Sequence, residues 1–187
     1  MSTTELLSKV AMNGPPAIAV EMKLEVVVIP VSDVDRSKRY YGELGWRLDM
    51  DFSASDGFRV IQFTPPGSGC SIIFGNDVTA AAPGSIQGQI LVVSDIVATR
   101  DELLRRGIKI GEIFHDAGGV FHHAGGEKRR RGPNPRRYSY ASYAPFDDPD
   151  GNGWLLQEVT VRLPGDVETR DNSFTPEIVN YLRHAAG

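Results

Sequence analysis

The sequence repeats itself, and the repeat limits the folds that this chain can adopt. The segment Val-Ser-Asp-Val at residues 31–34 recurs as Val-Ser-Asp-Ile at residues 93–96, 62 positions later. At the same offset Gly45 aligns with Gly107, and no gap is needed. A repeat of this length indicates one structural module used twice, and duplicated modules place functional groups at or between the copies.

Both copies predict the same succession of elements. In the first copy the β-branched run at 23–29 predicts a buried strand, Ser32 or Asp33 can cap a helix that reaches about Leu44, and Gly45 ends that helix. The remaining strands predicted in the first copy are 46–52, 58–63 and 70–74. In the second copy we predict a strand at 89–93, a helix at 95–106, and strands at 108–114, 138–146 and 154–160. Each copy therefore reads β-α-β-β-β, which predicts an α+β fold.

Two extensions flank the repeat. Residues 1–22 form an N-terminal extension, and residues 162–187 form a C-terminal one in which Thr175-Pro176-Glu177 predicts the start of a helix. We expect one unit over residues 23–161, built from modules at 23–74 and 86–161.

The composition excludes several classes of protein. A net charge of -4 with 24% charged residues argues against a nucleic-acid binder that depends on overall charge. The single cysteine, Cys70, excludes an internal disulfide and a multi-cysteine zinc site. No apolar run approaches a membrane span, and residues 1–22 do not resemble a secretory signal, so we expect a cytoplasmic protein.

A long insertion between Phe114 and Tyr138 distinguishes the second copy and predicts an irregular lid or binding loop. It holds three of the four histidines of the chain: His115, His122 and His123. Histidine titrates near neutral pH and binds metals, so these residues are candidates for ligand binding and, at His122, for acid–base catalysis. The alternative is that they are ordinary polar loop residues.

The insertion is also basic. Lys128 to Arg131, together with Arg136 and Arg137, form a positive island in an acidic chain. Arginine binds carboxylates and phosphates through paired hydrogen bonds, so the island favours an anionic ligand, with Arg137 as a ligand-binding candidate. The alternative is a solvated surface loop. The run is too short to predict nucleic-acid binding.

The strands of the second hairpin carry further candidates. Tyr138 and Tyr140 are predicted to share one strand face, where a phenol such as that of Tyr140 can stack on a ligand and donate a hydrogen bond. Glu158 is the best-placed carboxylate for proton transfer if it is buried, and the alternative is an exposed strand residue. Trp46 and Trp154 are predicted to be core residues, and Asp148 and Asp150 to shape a turn.

The two β-α-β-β-β copies, the Val-x-Asp before each helix and the segment Asp-Pro-Asp-Gly-Asn at 148–152 together resemble the vicinal oxygen chelate superfamily. That group includes glyoxalase I, the bleomycin-resistance proteins and the extradiol dioxygenases. The resemblance implies two modules whose curved mixed sheets surround a cup for a small ligand. It also implies a divalent metal in the enzymes of the group, and a homodimer.

The resemblance places metal ligands on the first and last strands of each module. Those positions fall on Val26, Gly88, Ile73 and either Leu155 or Gln157, of which only Gln157 carries a coordinating side chain. Stable sites need several N, O or S ligands, so we expect no metal and no other cofactor. A shift of one residue would instead place a ligand set for Mg, Mn or Zn on Glu25, Gln87 and Glu158.

We therefore expect a protein that binds a small organic molecule without the family metal, for sequestration or for metal-independent chemistry. The catalytic candidates are Glu158 and His122, and the ligand-binding candidates are His115, His123, Arg137, Tyr140 and Gln157. The alternative is a metal-dependent lyase, isomerase or dioxygenase of the same group. A structural protein that only binds partners is the third class, and the basic insertion argues against it.

Overall fold

The computed structural model of the chain describes Val20, residues 22–117, Gly126 and residues 128–161. The predicted C-terminal helix lies outside these residues, as do His122 and His123. The first module consists of β1 (Val26–Val28), α1 (Val34–Glu43), β2 (Arg47–Ser53), β3 (Arg59–Thr64) and β4 (Ser71–Asn76). The second consists of β5 (Gln89–Val93), α2 (Ile96–Arg105), β6 (Phe114–Asp116), β7 (Arg129–Arg131), β8 (Ser142–Asp147) and β9 (Gly153–Glu158).

Each module forms its own mixed sheet, which confirms the predicted α+β class. The first sheet has the strand order β1-β4-β3-β2, and the second has the order β5-β9-β8-β6-β7. The first strand of each module pairs in parallel with the last, and the other pairs are antiparallel. Neither described helix could cross a membrane, because none in this part of the chain is long and apolar enough.

The sequence repeat corresponds to repeated local structure. Asp33 caps α1 by accepting a hydrogen bond from the Arg36 N–H, and Asp95 caps α2 by accepting from the Val97 and Ala98 N–H groups. The glycine after each helix has a positive φ, 80° at Gly45 and 84° at Gly107, a conformation that costs glycine little. Local sequence signals, an aspartate cap and a following glycine, therefore set the beginning and the end of both helices.

Two predicted strand boundaries are wrong. The strand expected at 108–114 is reduced to a single bridge at Ile110 before β6 begins. Ile110 bridges Phe146 of β8, and the next residue, Gly111, donates its N–H to the carbonyl of Pro145, which has no N–H of its own to extend the ladder. The strand expected at 138–146 starts only at 142, because Arg137 and Tyr140 have positive φ values that a strand does not allow.

The prediction of an irregular insertion is also wrong in part. Arg129–Arg131 forms β7, which pairs with β6 and adds a fifth strand at the edge of the second sheet. Its three side chains are exposed, as expected of arginines on an edge strand.

One hydrophobic core joins the two modules. Tyr41 on α1 contacts Trp154 on β9 at 6.2 Å between ring centroids, and Trp46 contacts the same ring at 5.4 Å. Both tryptophans are buried, as predicted. The core contains the helix-facing residues of both sheets, including Phe74 of the first and Leu156 of the second. The two sheets therefore turn their helix-covered faces toward this shared core.

Candidate functional site

Each sheet leaves one face uncovered by its helix, which we call the helix-free face. In the first sheet Phe74 pairs with Ile61 and packs on Tyr41 of α1, so this row faces the helix. Side chains alternate along a strand, and the neighbouring row of Ile73, Gln62 and Met50 therefore lies on the helix-free face. The same alternation puts Leu155 and Gln157 on the helix-free face of the second sheet.

The helix-free face of the first sheet is apolar and accessible. Val26 is 36% exposed, Met50 38% and Phe52 52%. Exposed apolar side chains on one face of a sheet are typical of an interaction or ligand-binding surface. The face thus has the character of a binding surface rather than of a solvated one.

A short polar chain crosses this apolar face. The Gln62 Nε2 donates to the Ser71 hydroxyl at 3.2 Å, the Ser71 and Thr64 hydroxyls are 2.7 Å apart, and the Thr64 hydroxyl donates to the carboxylate of Asp49. None of these residues was among the sequence candidates. The alternation of side chains along a strand does place Gln62 and Thr64 on one face of the 59–64 segment. The contact with Asp49 depends on a bulge that cannot be predicted from the sequence.

The helix-free face of the second sheet carries an aromatic line. The Arg129 guanidinium lies 4.3 Å from the centroid of the Phe114 ring, and that ring stacks on Tyr143 at 5.5 Å. The Gln157 Nε2 donates to the Tyr143 hydroxyl at 3.2 Å and to the Tyr140 carbonyl at 3.3 Å. Burial raises the pKa of Tyr143, so its phenol stays protonated and donates to the Tyr140 carbonyl. Arg129 was predicted only as part of the basic island, and Phe114 and Tyr143 were not among the ligand-binding candidates.

Glu158 lies on the opposite, helix-facing side of β9 and is fully buried. One of its carboxylate oxygens accepts from the Ile96 N–H at 3.1 Å, and the other accepts from the Arg137 Nε at 2.8 Å. The interpretation of Glu158 as an exposed strand carboxylate is therefore wrong. Its buried oxygens are engaged by the start of α2 and by a cation, an arrangement that favours a structural over a catalytic role.

Arg137 is committed to this ion pair. Besides Glu158 it contacts Asp95 at 3.3 Å, and its pKa is raised, first by its hydrogen bond to Glu158. Arg136 contacts the hydroxyl of exposed Tyr138 instead. Arg137 therefore bonds to the helix-facing side of the second sheet, whereas Arg129 reaches the helix-free face.

The structure does not bring the remaining sequence candidates together. His115 follows Phe114 on β6, so it points to the other face of the second sheet, and its Nδ1 lies 2.9 Å from the Gly132 carbonyl. Tyr140 adopts a φ of 68° in a turn before β8. Its backbone carbonyl, which accepts from Gln157, is its contribution to the helix-free face.

The positions at which the resemblance implies metal ligands do not fit a divalent cation. Val26, Ile73 and Leu155 are apolar, and Gly88 has no side chain. Gln157 has the one polar side chain of the set, and its amide nitrogen already donates to Tyr140 and Tyr143. Carbon and one amide oxygen do not make the ligand shell that a hard or borderline cation requires.

The alternative ligand set is spread over the molecule. Gln87 binds the Gly151 carbonyl at 2.9 Å and lies two positions before Gln89, which pairs with Trp154. At 3.3 Å per residue, Gln87 is roughly 20 Å from Glu158 along the parallel strands. Glu25 belongs to the other module, beside Ser71. Among the described residues, no three His, Cys, Asp or Glu side chains are grouped so that they could hold a metal ion.

The loop at 148–152 shapes a turn, as predicted, because the Asp148 Oδ1 accepts from the Asp150 and Asn152 N–H groups at 2.9 Å. It also joins the modules, which was not predicted. The Tyr41 hydroxyl donates to Asp148 at 2.9 Å, and the Asn152 amide donates to the Pro30 carbonyl at 2.9 Å. The loop therefore fixes the second module against α1 instead of contributing to a ligand site.

Comparison with known proteins places this architecture in a family. The sequence profile described as the Glyoxalase/Bleomycin resistance protein/Dioxygenase superfamily matches residues 23–156. A search of curated proteins finds no significant match.

Solved structures with the same fold cover most of the chain. TnmS3, an antibiotic binding protein from Streptomyces sp. CB03234, is 24% identical with a TM-score of 0.55, covering 76% of this chain and 99% of its own. UcmS2 is 21% identical with a TM-score of 0.54, covering 74% of this chain and 99% of its own. A superfamily member from Sphaerobacter thermophilus DSM 20745 is 22% identical with a TM-score of 0.52, covering 74% and 98%. At these identities the likeness is one of fold.

Proposed function

The chain belongs to the Glyoxalase/Bleomycin resistance protein/Dioxygenase superfamily, and from that premise we propose that it binds a small organic molecule without a metal. The observation that carries the proposal is the chemistry of the family's metal positions. Val26, Ile73 and Leu155 occupy them here and belong to helix-free faces on which apolar side chains predominate. Such a surface binds the carbon framework of a ligand through the hydrophobic effect.

Sequestration is the form of this function that the geometry favours. TnmS3 is described as an antibiotic binding protein, and we extend that kind of role to this chain. Metal-independent acid–base chemistry at Glu158 has less support, because the Glu158 carboxylate is buried and bound to Ile96 and Arg137. The roles of His122 and His123 stay predictions, since both lie outside the described residues.

A second copy of the chain would complete the binding site. The helix-free faces point away from the shared core, so one chain supplies two separate walls rather than an enclosed cup. The edge strands β1 and β5 also carry exposed apolar residues, with Ile90 51% and Val92 43% exposed on β5. Unpaired apolar edges favour association. We expect a homodimer in sedimentation at micromolar concentration, and a monomer there would contradict this arrangement.

The binding face can be tested with a probe and a matched pair of variants. Naphthalenemethanol carries an aromatic body and one hydroxyl, and ligand-observed NMR detects its binding even when it is weak. Met50→Asp places a charge on the helix-free face of the first sheet, whereas Val97→Asp changes an equally exposed apolar residue, 37% against 38%, on α2. We expect saturable binding to the wild type and to Val97→Asp, and loss of binding in Met50→Asp. Equal effects of the two substitutions on probe binding would show that the first sheet is not part of the binding site.

A further inference from the structure

The polar chain on the first sheet begins at a β-bulge. Leu48 pairs with Phe63 and Met50 pairs with Gln62, so Asp49 is an extra residue with no partner of its own on β3. Bulges redirect side chains and are common next to functional sites. Here the bulge brings the Asp49 carboxylate to the Thr64 hydroxyl. The Arg47 Nε also donates to Asp49, at 2.5 Å.

The direction of each hydrogen bond in the polar chain of Gln62, Ser71, Thr64 and Asp49 follows from which groups can donate and which can only accept. Hydrogen bonds from Arg47 and then from Thr64 lower the pKa of Asp49, so its carboxylate is ionised and only accepts. The single hydroxyl proton of Thr64 goes to Asp49, and the proton between the two hydroxyls therefore comes from Ser71. Every donor in the chain points toward Asp49.

Gln62 lies at the other end of the polar chain, and the same donors and acceptors fix the orientation of its side-chain amide. Its Nε2 donates to the Ser71 oxygen at 3.2 Å. Because the Ser71 hydroxyl proton is given to Thr64, the Ser71 oxygen can only accept from Gln62, so the amide nitrogen must be the atom that faces the polar chain. The Gln62 Oε1 accepts no hydrogen bond from any described residue. It lies in a row with Met50 and Ile73, whose side chains offer it no donor.

We propose that Gln62 is the specificity-determining residue of the first sheet and accepts a hydrogen bond from a hydroxyl or amino group on the ligand. Asp49, Thr64 and Ser71 are positioning residues that hold the amide with its oxygen outward. This inference rests on the proposed binding function and narrows its ligand class. A ligand here has an apolar body that lies on Met50 and Ile73, and one donor group. The negative charge of Asp49 disfavours a carboxylate or phosphate at the same point.

Matched naphthalene probes test the inference by ligand-observed NMR at about pH 7. Naphthalenemethanol and aminomethylnaphthalene carry a donor, and methylnaphthalene does not. We expect the two donor probes to bind wild-type protein roughly threefold to tenfold more tightly than methylnaphthalene, the factor of one net hydrogen bond. In Gln62→Leu that preference disappears, while methylnaphthalene binds as before.

The positioning role has its own control. Thr64→Val removes the hydroxyl proton that Asp49 accepts, whereas Thr64→Ser keeps it. We expect Thr64→Val to lose the preference for donor probes and Thr64→Ser to retain it. A merely structural Thr64 would lower stability in the valine variant without changing the ratio of the affinities.

The outcomes separate the two proposals. If methylnaphthalene binds the wild type as tightly as the donor probes, or if the preference survives in Gln62→Leu, the role of Gln62 is wrong and the binding function stands. If none of the three probes binds, the binding function fails and the role of Gln62 fails with it.

Discussion

The phenol hydroxyl of Tyr41 donates a 2.9 Å hydrogen bond to the carboxylate of Asp148, across the contact between the two modules. Both residues are buried. Burial, and then the charge of Asp148, raises the pKa of Tyr41 far above its usual range, so the phenol remains a donor at every physiological pH. This bond ties α1 to the loop that precedes β9 and is one of the contacts that join the two modules.

Tyr41→Phe should therefore destabilise the protein by roughly 1.5–3 kcal/mol, the range for a hydrogen bond to a charged group. The free energy of unfolding in urea measures the effect. Tyr138→Phe is the matched control, because the Tyr138 hydroxyl bonds an arginine at an exposed site. We expect the control to stay within about 0.5 kcal/mol of the wild type. Equal values for the two variants would show that the inter-module bond contributes little.

Arg137→Gln should also destabilise the protein, because it leaves the buried carboxylate of Glu158 without its cation. Because the Arg137 side chain is 41% exposed, the cost should lie at or below the lower end of the about 3–5 kcal/mol that a fully buried ion pair loses when one partner is removed. Arg136→Gln provides the comparison, since Arg136 bonds an exposed phenol, and it should change the free energy of unfolding by less than about 0.5 kcal/mol.

A double variant distinguishes charge from packing at this pair. Adding Glu158→Gln to Arg137→Gln removes the uncompensated charge, so the double variant should be more stable than Arg137→Gln alone. If it is less stable, the cost of losing Arg137 comes from packing and not from the buried carboxylate.

The elements that local chemistry specifies were predictable. Asp33 and Asp95 cap their helices because their carboxylates accept from the free N–H groups of the first turn, and the glycines after both helices provide a left-handed stop. The repeat predicted two β-α-β-β-β modules, and the family resemblance implied a curved mixed sheet in each. The caps and stops of the helices depend only on neighbouring residues.

The site depended on contacts that the sequence does not specify. Arg137 reaches Glu158 through left-handed turns at Arg137 and Tyr140, a conformation that non-glycine residues seldom adopt. Asp49 reaches Thr64 through a bulge that is defined only by the pairing of β2 with β3. The arginines of β7 were predicted to lie in a loop because three residues are too few to show strand periodicity.

The acid side of the stability curve should depend on Asp51. Hydrogen bonds from Arg59 and then from Lys38 lower its pKa in the folded state. A lowered pKa stabilises the fold above the unfolded value of about 3.9, and this contribution is lost as the pH falls through the folded value. Asp51→Asn should therefore cost up to about 1 kcal/mol above pH 5, since the pair is partly exposed. The difference from wild type should shrink below about pH 4.

Salt provides the check on that interpretation. High ionic strength screens partly exposed ion pairs, so the effect of Asp51→Asn at neutral pH should decrease in about 1 M sodium chloride. A difference that is independent of both pH and salt would mean that the substitution acts through packing.

Arg129 should govern the binding of anionic ligands. Its guanidinium lies over Phe114 on the helix-free face of the second sheet. Arg129→Gln should weaken naphthoate and leave naphthalenemethanol unchanged. Arg136→Gln, which changes the net charge by the same amount, should not change the affinity for either probe. A similar loss of naphthoate binding in both variants would indicate a general charge effect.

Metal content and probe binding, measured on the same sample, test the central claim most directly. The protein is purified without chelator, analysed for Mg, Mn, Fe, Ni and Zn, and titrated with naphthalenemethanol before and after exhaustive chelation. We expect metal far below one equivalent per chain and the same affinity in both titrations. Near-stoichiometric metal, with binding that is lost on chelation and restored by the ion, would contradict a metal-independent site and establish the metal-dependent alternative.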